Sequence, residues 1–203
     1  MNPLFIPARL KFEVNKKDIS KISKKLPKNI SIVHSIQYES QAKEIKRLLK
    51  DNHKITGFTQ ILGCLKPKLR GDAVLLIGDG KFHAISLAYE VQLPIYIYNT
   101  EKLQKISEKD LSDFQRHKKS AYLKFLNAKK VGILISTKPG QDNLNKAFML
   151  KKKLKKESYL FICNNVNTPE FENFPEIQSW INTACPRLDM NDTRIVNFKD
   201  IKL

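Results

Sequence analysis

Ala73-Val74-Leu75-Leu76-Ile77-Gly78-Asp79-Gly80-Lys81-Phe82-His83 is the stretch whose reading decides the fold. Its first five residues are all apolar, the pattern of a strand buried on both faces as in a parallel sheet. Two glycines follow at once, and Ile85 to Val91 beyond them has a helical pattern. Strand, glycine turn and helix make a βα unit, in which backbone N–H groups approach an anion beside a helix N-terminus. A lone Gly-x-Gly is equally consistent with a tight turn.

The same alternation extends in both directions. Upstream, Leu4 to Phe12 reads as a strand and Lys16 to Lys25 as a short basic helix closed by Pro27. Ile30 to Val33 reads as a buried strand, His34-Ser35-Ile36-Gln37 as a polar turn, and Gln41 to Asp51 as a helix with Ala42, Ile45, Leu48 and Leu49 on one face. Ile55 to Phe58 is strand-like and leads to Gln60-Ile61-Leu62-Gly63-Cys64. Downstream, Ile95 to Tyr98 is a strand, and residues 101–130 are polar and helical with an apolar stripe of Leu111, Phe114, Tyr122, Phe125 and Leu126. The pattern then restarts: strand Val131 to Ser136, turn Thr137-Lys138-Pro139-Gly140-Gln141, helix Leu144 to Lys155, strand Tyr159 to Cys163, short helix or loop Thr168 to Phe174, strand Ile177 to Asn182. We expect an α/β protein of two successive small Rossmann-like domains, residues 1–130 and 131–203, each with a mostly parallel sheet flanked by helices.

The 203 residues contain no apolar run long enough to span a bilayer, and no secretory segment opens them. Three cysteines without paired spacing point away from a disulfide scaffold and toward a reducing, cytoplasmic setting. The net charge of +17 raises the prior for a polyanionic partner. Most of it is lysine on helix faces, however, with few arginines and no interleaved aromatics, so a basic RNA-binding α/β protein stays an alternative that charge alone does not carry.

Chemistry is expected where strands end. Trp180 to Leu188 holds Cys185 just after a strand, with Pro186 fixing the backbone and Arg187 bringing a permanent cation that favours thiolate. Cys64, the Gly78 to His83 turn, the Ser136 to Gln141 turn and Cys185 all follow strands at their carboxyl ends, and we expect them to converge on one interdomain cleft. The cysteines lie too far apart for a structural zinc site but suit an iron-sulfur cluster drawn from separated segments; the alternative is inert thiols. Cys163, inside a strand, reads as core. His83 reads as a structural hydrogen-bonder or a ligand, Lys138 and Gln141 as turn residues or binding groups, and Lys81 and Arg187 as a carboxylate clamp or solvated cations.

Taken in order and at these separations, Gln60 to Cys64, Gly78 to His83, Ser136 to Gln141 and Asn182 to Arg187 resemble the archaeal diphthamide-synthesis family of 2-(3-amino-3-carboxypropyl)histidine synthases. The resemblance runs from about Leu4 to the end and covers the second and third of that family's three similar α/β domains. It implies an enzyme with a 4Fe-4S cluster held by one cysteine from each domain. It further implies S-adenosylmethionine bound at the fourth iron, radical cleavage of its Cγ–S bond, and transfer of an aminocarboxypropyl group to a histidine of elongation factor 2.

By that resemblance Cys64 and Cys185 are the metal ligands, while Gln37, Gly78, Gly80, His83, Ser136, Lys138, Gln141 and Arg187 surround the S-adenosylmethionine. The chain departs from the family in lacking the first domain with its cysteine. It departs again where an acidic residue is usual six positions after the third cysteine and Asn191 stands, with Asp192 beside it. The expectation is therefore a subunit completed by a separate chain, in a dimeric or heteromeric assembly. A catalytically silent supporting subunit of the same pathway is the alternative.

Overall fold

The computed structural model describes residues 4, 6, 8–62, 67–99, 101–190 and 192–202. Cys64, Gly63 and Asn191 lie outside the described residues. The chain divides into two compact units, Met1–Ser112 and Asp113–Leu203. The division falls inside one helix, Glu108–Asn127, whose Phe125 belongs to the second unit's core.

In the first unit α1 (Lys16–Ser23) precedes β1 (Asn29–His34), α2 (Glu39–Leu49), β2 (Lys54–Gln60), β3 (Ala73–Ile77), α3 (Lys81–Val91), β4 (Ile95–Tyr98) and β5 (Leu103–Lys105). The sheet order is β2-β1-β3-β4-β5, with the first four strands parallel and β5 antiparallel at the edge. Asn15 starts α1 by accepting the Lys17 N–H through its side chain at 2.9 Å, satisfying a donor that has no partner within the helix. Ala42, Ile45 and Leu49 of α2 share a helical face with i, i+3, i+7 spacing and pack with Ile19 and Ile22 of α1 on Ile30, Ile32, Leu75 and Ile77. Alternation sends Val74, Leu76 and Ile97 to the opposite face, and they are buried too. Burial on both faces explains why these strands read as unbroken apolar runs; each fully buried Ile or Leu contributes about 1.5–3 kcal/mol.

The second unit continues from α4 (Glu108–Asn127) through β6 (Lys130–Ser136), α5 (Leu144–Lys153), β7 (Glu157–Cys163), β8 (Ser179–Asn182) and β9 (Ile195–Asn197), with 3-10 turns at Thr168–Asn173, Pro186–Met190 and Phe198–Asp200. Its sheet order is β7-β6-β8-β9, all parallel. Val131, Ile133, Ile135 and Ile181 face one core with Phe125, Ala147 and Leu150, whereas Leu134 and Trp180 face another with Phe171, Ile177 and Ile195. Both units are therefore α/β with mostly parallel sheets, as expected. Among the described residues no helix is long and apolar enough to cross a membrane.

Several local expectations change. Leu4 to Phe12 contains no strand among its described residues; Leu4 and Ile6 are exposed, and Pro7 withholds a ladder donor. The segment is held instead by the Gln41 side chain, which donates to the Leu10 carbonyl at 2.9 Å. α3 starts at Lys81 rather than Ile85, which places His83 in its first turn. The expected helix over 101–130 yields its start to β5, and β9 is a strand no pattern announced; each is only three residues long.

Candidate functional site

In an open parallel sheet, ligands collect at the carboxyl ends of the strands where the order reverses, here between β1 and β3 and between β6 and β8. In the first unit that edge carries Gln37 and the Gly78–Gly80 turn. His34 lies opposite Ile77 in the register, and Ser35 N–H donates to the Ile77 carbonyl at 3.3 Å. The chain then makes a 3-10 turn, Ile36–Tyr38, with Gln37 exposed and Tyr38 buried.

Gly78 is buried against that turn: a Cβ there would come within 3.2 Å of Ser35 Oγ. Gly80 has φ +93° directly before α3, with open space where a Cβ would sit. Its glycine is required by conformation, not by crowding. α3 begins directly after it, with the positive end of its dipole at this turn. The Tyr38 hydroxyl donates to the Asp79 carboxylate and ties the two turns together. Burial first, then Asp79, pushes the Tyr38 phenol up to about 12. Burial lowers His34, whose ring lies 5.0 Å from that of Phe58.

His83 is half-buried in the first turn of α3, its ring 5.2 Å from that of Phe82. Lys81 faces Asp110 at 3.4 Å in an exposed pair, so the carboxylate it meets in this structure is internal. The Asp110 carboxyl is held below its ordinary range by Ser107 first and by Lys81.

In the second unit β6 ends at Ser136, buried, whose Oγ accepts the Lys138 N–H at 3.2 Å and donates to the Asn164 carbonyl at 3.4 Å. Lys138-Pro139-Gly140-Gln141 is a type II turn: Gln141 N–H donates to the Lys138 carbonyl at 3.0 Å, and Gly140 has φ +78°. The β8 side of the edge is tied to β6 and to this turn. Thr183 Oγ1 donates to the Leu134 carbonyl at 2.8 Å, and Asn143 Nδ2 donates to the Thr183 carbonyl at 2.7 Å and the Gln141 carbonyl at 3.3 Å. Ser136, Lys138, Gln141 and Cys185 thus share one edge of one sheet.

Cys185 is a half-buried free thiol between β8 and the Pro186–Met190 turn, in which Arg187 is exposed. Cys163 ends the neighbouring β7, opposite Ser136. Its Sγ lies 3.8 Å from the Ile135 carbonyl, and burial first, then Glu170, raises its thiol away from thiolate. The two described thiols therefore differ: one is engaged inward, the other stands on the loop that follows the central strands. Among the described residues no group of three or more His, Cys, Asp or Glu is arranged to hold a metal.

Nothing in the sequence singled out the Tyr38–Asp79 pair, Asn143, or the set behind Cys185 in which Asn197, Asp189 and Lys118 join Asn182 of the quoted stretch. Their partners stand up to 71 residues apart. No local spacing could have announced them.

A family model described as "Putative diphthamide synthesis protein" matches residues 1–199. A 2-(3-amino-3-carboxypropyl)histidine synthase from Pyrococcus horikoshii is 31% identical over 93% of this chain and 60% of that protein. One of the same name from Methanocaldococcus jannaschii is 34% identical over 81% of this chain and 47% of that protein. The crystal structure of Dph2 from Pyrococcus horikoshii with a 4Fe-4S cluster superposes with a TM-score of 0.77 at 28% identity, covering 92% of this chain and 61% of that one. The chain thus spans about half to three-fifths of the length of these relatives.

Proposed function

Since this chain belongs to the family of diphthamide synthesis proteins, we propose that it is a subunit of a 4Fe-4S, S-adenosylmethionine-dependent 3-amino-3-carboxypropyl transferase acting on a histidine of elongation factor 2. The observation that carries the reading is the stitching of the Ser136–Gln141 turn to the chain before Cys185 by Asn143, which donates to the carbonyls of both Gln141 and Thr183. It brings a thiol and a polar, backbone-rich turn to the strand ends where such a substrate would bind.

The donor chemistry of Cys185 fits an iron ligand: a half-buried free thiol on a structured loop, whereas Cys163 is raised toward the neutral thiol. In this proposal Cys185 and Cys64 are two ligands of a cytoplasmic enzyme, and the third thiolate comes from outside these 203 residues. The cluster, when bound, supplies an electron to the sulfonium and an open iron for its amino-acid tail. Gln37, Gly78, Gly80, His83, Ser136, Lys138, Gln141 and Arg187 bind and orient that molecule. The glycine turn brings main-chain donors close, and the polar side chains meet the carboxylate and ammonium.

Cys64→Ala and Cys185→Ala are each expected to abolish modification of elongation factor 2, and Cys163→Ala to leave it intact. Anaerobic reconstitution with and without candidate partner chains, followed by iron counting, tests the shared cluster. Full iron occupancy on these 203 residues alone would refute the need for a thiolate from outside them. Modification that survives both ligand changes would establish the second reading, a catalytically silent supporting subunit of the same pathway.

A further inference from the structure

An unusual amount of buried polarity gathers behind Cys185. Asn182 and Asn197 lie opposite each other on β8 and β9, 2% and 3% exposed. Asn182 Nδ2 donates to Asn197 Oδ1 and to the Cys185 carbonyl, both at 2.7 Å, while its Oδ1 accepts the Ala184 N–H at 2.9 Å. Asn197 Nδ2 in turn donates to the Pro186 carbonyl at 3.1 Å and to Asp189 Oδ2 at 2.6 Å. The same carboxylate oxygen accepts from Lys118 Nζ at 2.9 Å, and that ammonium also reaches Asp200 at 2.6 Å. His117 Nε2 lies 2.5 Å from the Asp189 carbonyl. Every main-chain polar group named in the loop is therefore held by a side chain from β8, β9 or α4.

Stability alone does not explain this choice. An ion pair taken out of water is often no better than apolar residues of the same volume, while a fully satisfied network does fix one geometry. A metal ligand needs that: it must be held within about 0.5 Å of its productive position by a supporting shell. We infer that Asn197, Asp189 and Lys118 are positioning residues for the Cys185 thiol, holding its loop in the ligand-presenting form before any metal arrives. The inference rests on Cys185 being a ligand, but its test does not require the metal.

The full 203-residue chain, reduced and metal-free, is alkylated with iodoacetamide over time, and Cys185 and Cys163 are read separately by mass spectrometry. Asn197→Ala is expected to raise the Cys185-to-Cys163 rate ratio about tenfold, through local opening of the loop. Asn182→Asp, which retains the acceptor for Ala184 N–H and loses both donated bonds, should act in the same direction if Asn197→Ala fails to fold. Leu150→Ala weakens the same unit's core away from the loop and should leave the ratio unchanged. An unchanged ratio in the asparagine variants, or an equal rise in Leu150→Ala, overturns the inference. A cluster that never forms with any partner would remove the ligand assignment while the alkylation result still stands, so the two failures are told apart.

Discussion

The two units use one strand order, β2-β1-β3-β4 in the first and β7-β6-β8-β9 in the second, and finish the same edge in opposite ways. In the first, β3 continues through Gly78 and Gly80 into an 11-residue helix, α3. The edge is built from main chain: positive-φ glycines and a helix start. In the second, β8 continues into a five-residue 3-10 turn, and β9 follows directly. That edge is built from side chains, with buried amides and an ion pair holding the main chain of the loop that carries Cys185. A common frame can therefore be finished by backbone conformation or by braced side chains, and the two solutions should fail differently when substituted.

The largest contrast is expected between Lys118→Met and Lys81→Met. Lys118 and Asp189 have side chains 14% and 5% exposed, whereas Lys81 and Asp110 are 52% and 29% exposed. Burial, the strongest influence, lowers the Lys118 ammonium, and Asp189 with Asp200 more than reverse it, leaving it above its ordinary range. Removing that ammonium strands a buried carboxylate, at about 3 kcal/mol. Loss of the exposed Lys81 is worth under about 0.5 kcal/mol. Urea unfolding of both variants measures the difference. Equal losses would erase the distinction between a side-chain edge and a main-chain edge.

A smaller contrast comes from two strand glycines. A Cβ at Gly132 would sit 2.4 Å from the Trp180 ring and 3.1 Å from Phe161. That indole is stacked on Phe171 at 4.0 Å and crossed by Phe161 at 4.6 Å, so it has nowhere to go. Gly132→Ala should cost about 2 kcal/mol, as overpacked cores do. At Gly57 the nearest atom is the Ser31 hydroxyl at 2.9 Å, a small group bonded to the Arg70 carbonyl at 2.7 Å and the Thr56 hydroxyl at 3.0 Å, and Gly57→Ala should cost about 1 kcal/mol, the order of a displaced hydrogen bond rather than of a displaced ring. Hydrogen exchange of β6 and β8 against β1 and β2 would show whether each loss stays in its own unit.

What was legible in the sequence follows the same division. The buried strands and the glycine turn were readable because apolar runs and glycines act locally: Ala73 to Ile77 is β3 residue for residue, and Gly80 stands where positive φ is needed. The bracing of Cys185 was not readable. Asn182 finds Asn197 only because β8 and β9 align in parallel, and Lys118 reaches Asp189 from a helix 71 residues earlier in the chain. β5 and β9 escaped because three residues carry no period. Leu4 to Phe12 misled because its described residues join no strand ladder: Leu4 is 84% exposed, and Phe12 packs on the first unit's core as a side chain only.

The finest test concerns Tyr38, a side chain placed to brace the main-chain edge. Tyr38 is buried, its hydroxyl donates to Asp79 in the glycine turn, and its folded pKa is raised from 10.0 to about 12 by burial and by that carboxylate. A raised acid favours the fold in its neutral form. Its contribution is complete below the unfolded value of 10.0 and is lost as pH rises toward about 12, where a phenolate would face Asp79. Unfolding midpoints of the native chain should therefore fall across that window more steeply than those of Tyr38→Phe, with the two curves running parallel near neutrality, where the phenol is protonated in both states. Parallel curves across the whole range would mean that the hydroxyl stays solvated and that the glycine turn stands on backbone conformation alone. A steeper fall in the native chain would give the first unit a side-chain brace as well, weaker than the second unit's because it is a single bond to an exposed carboxylate.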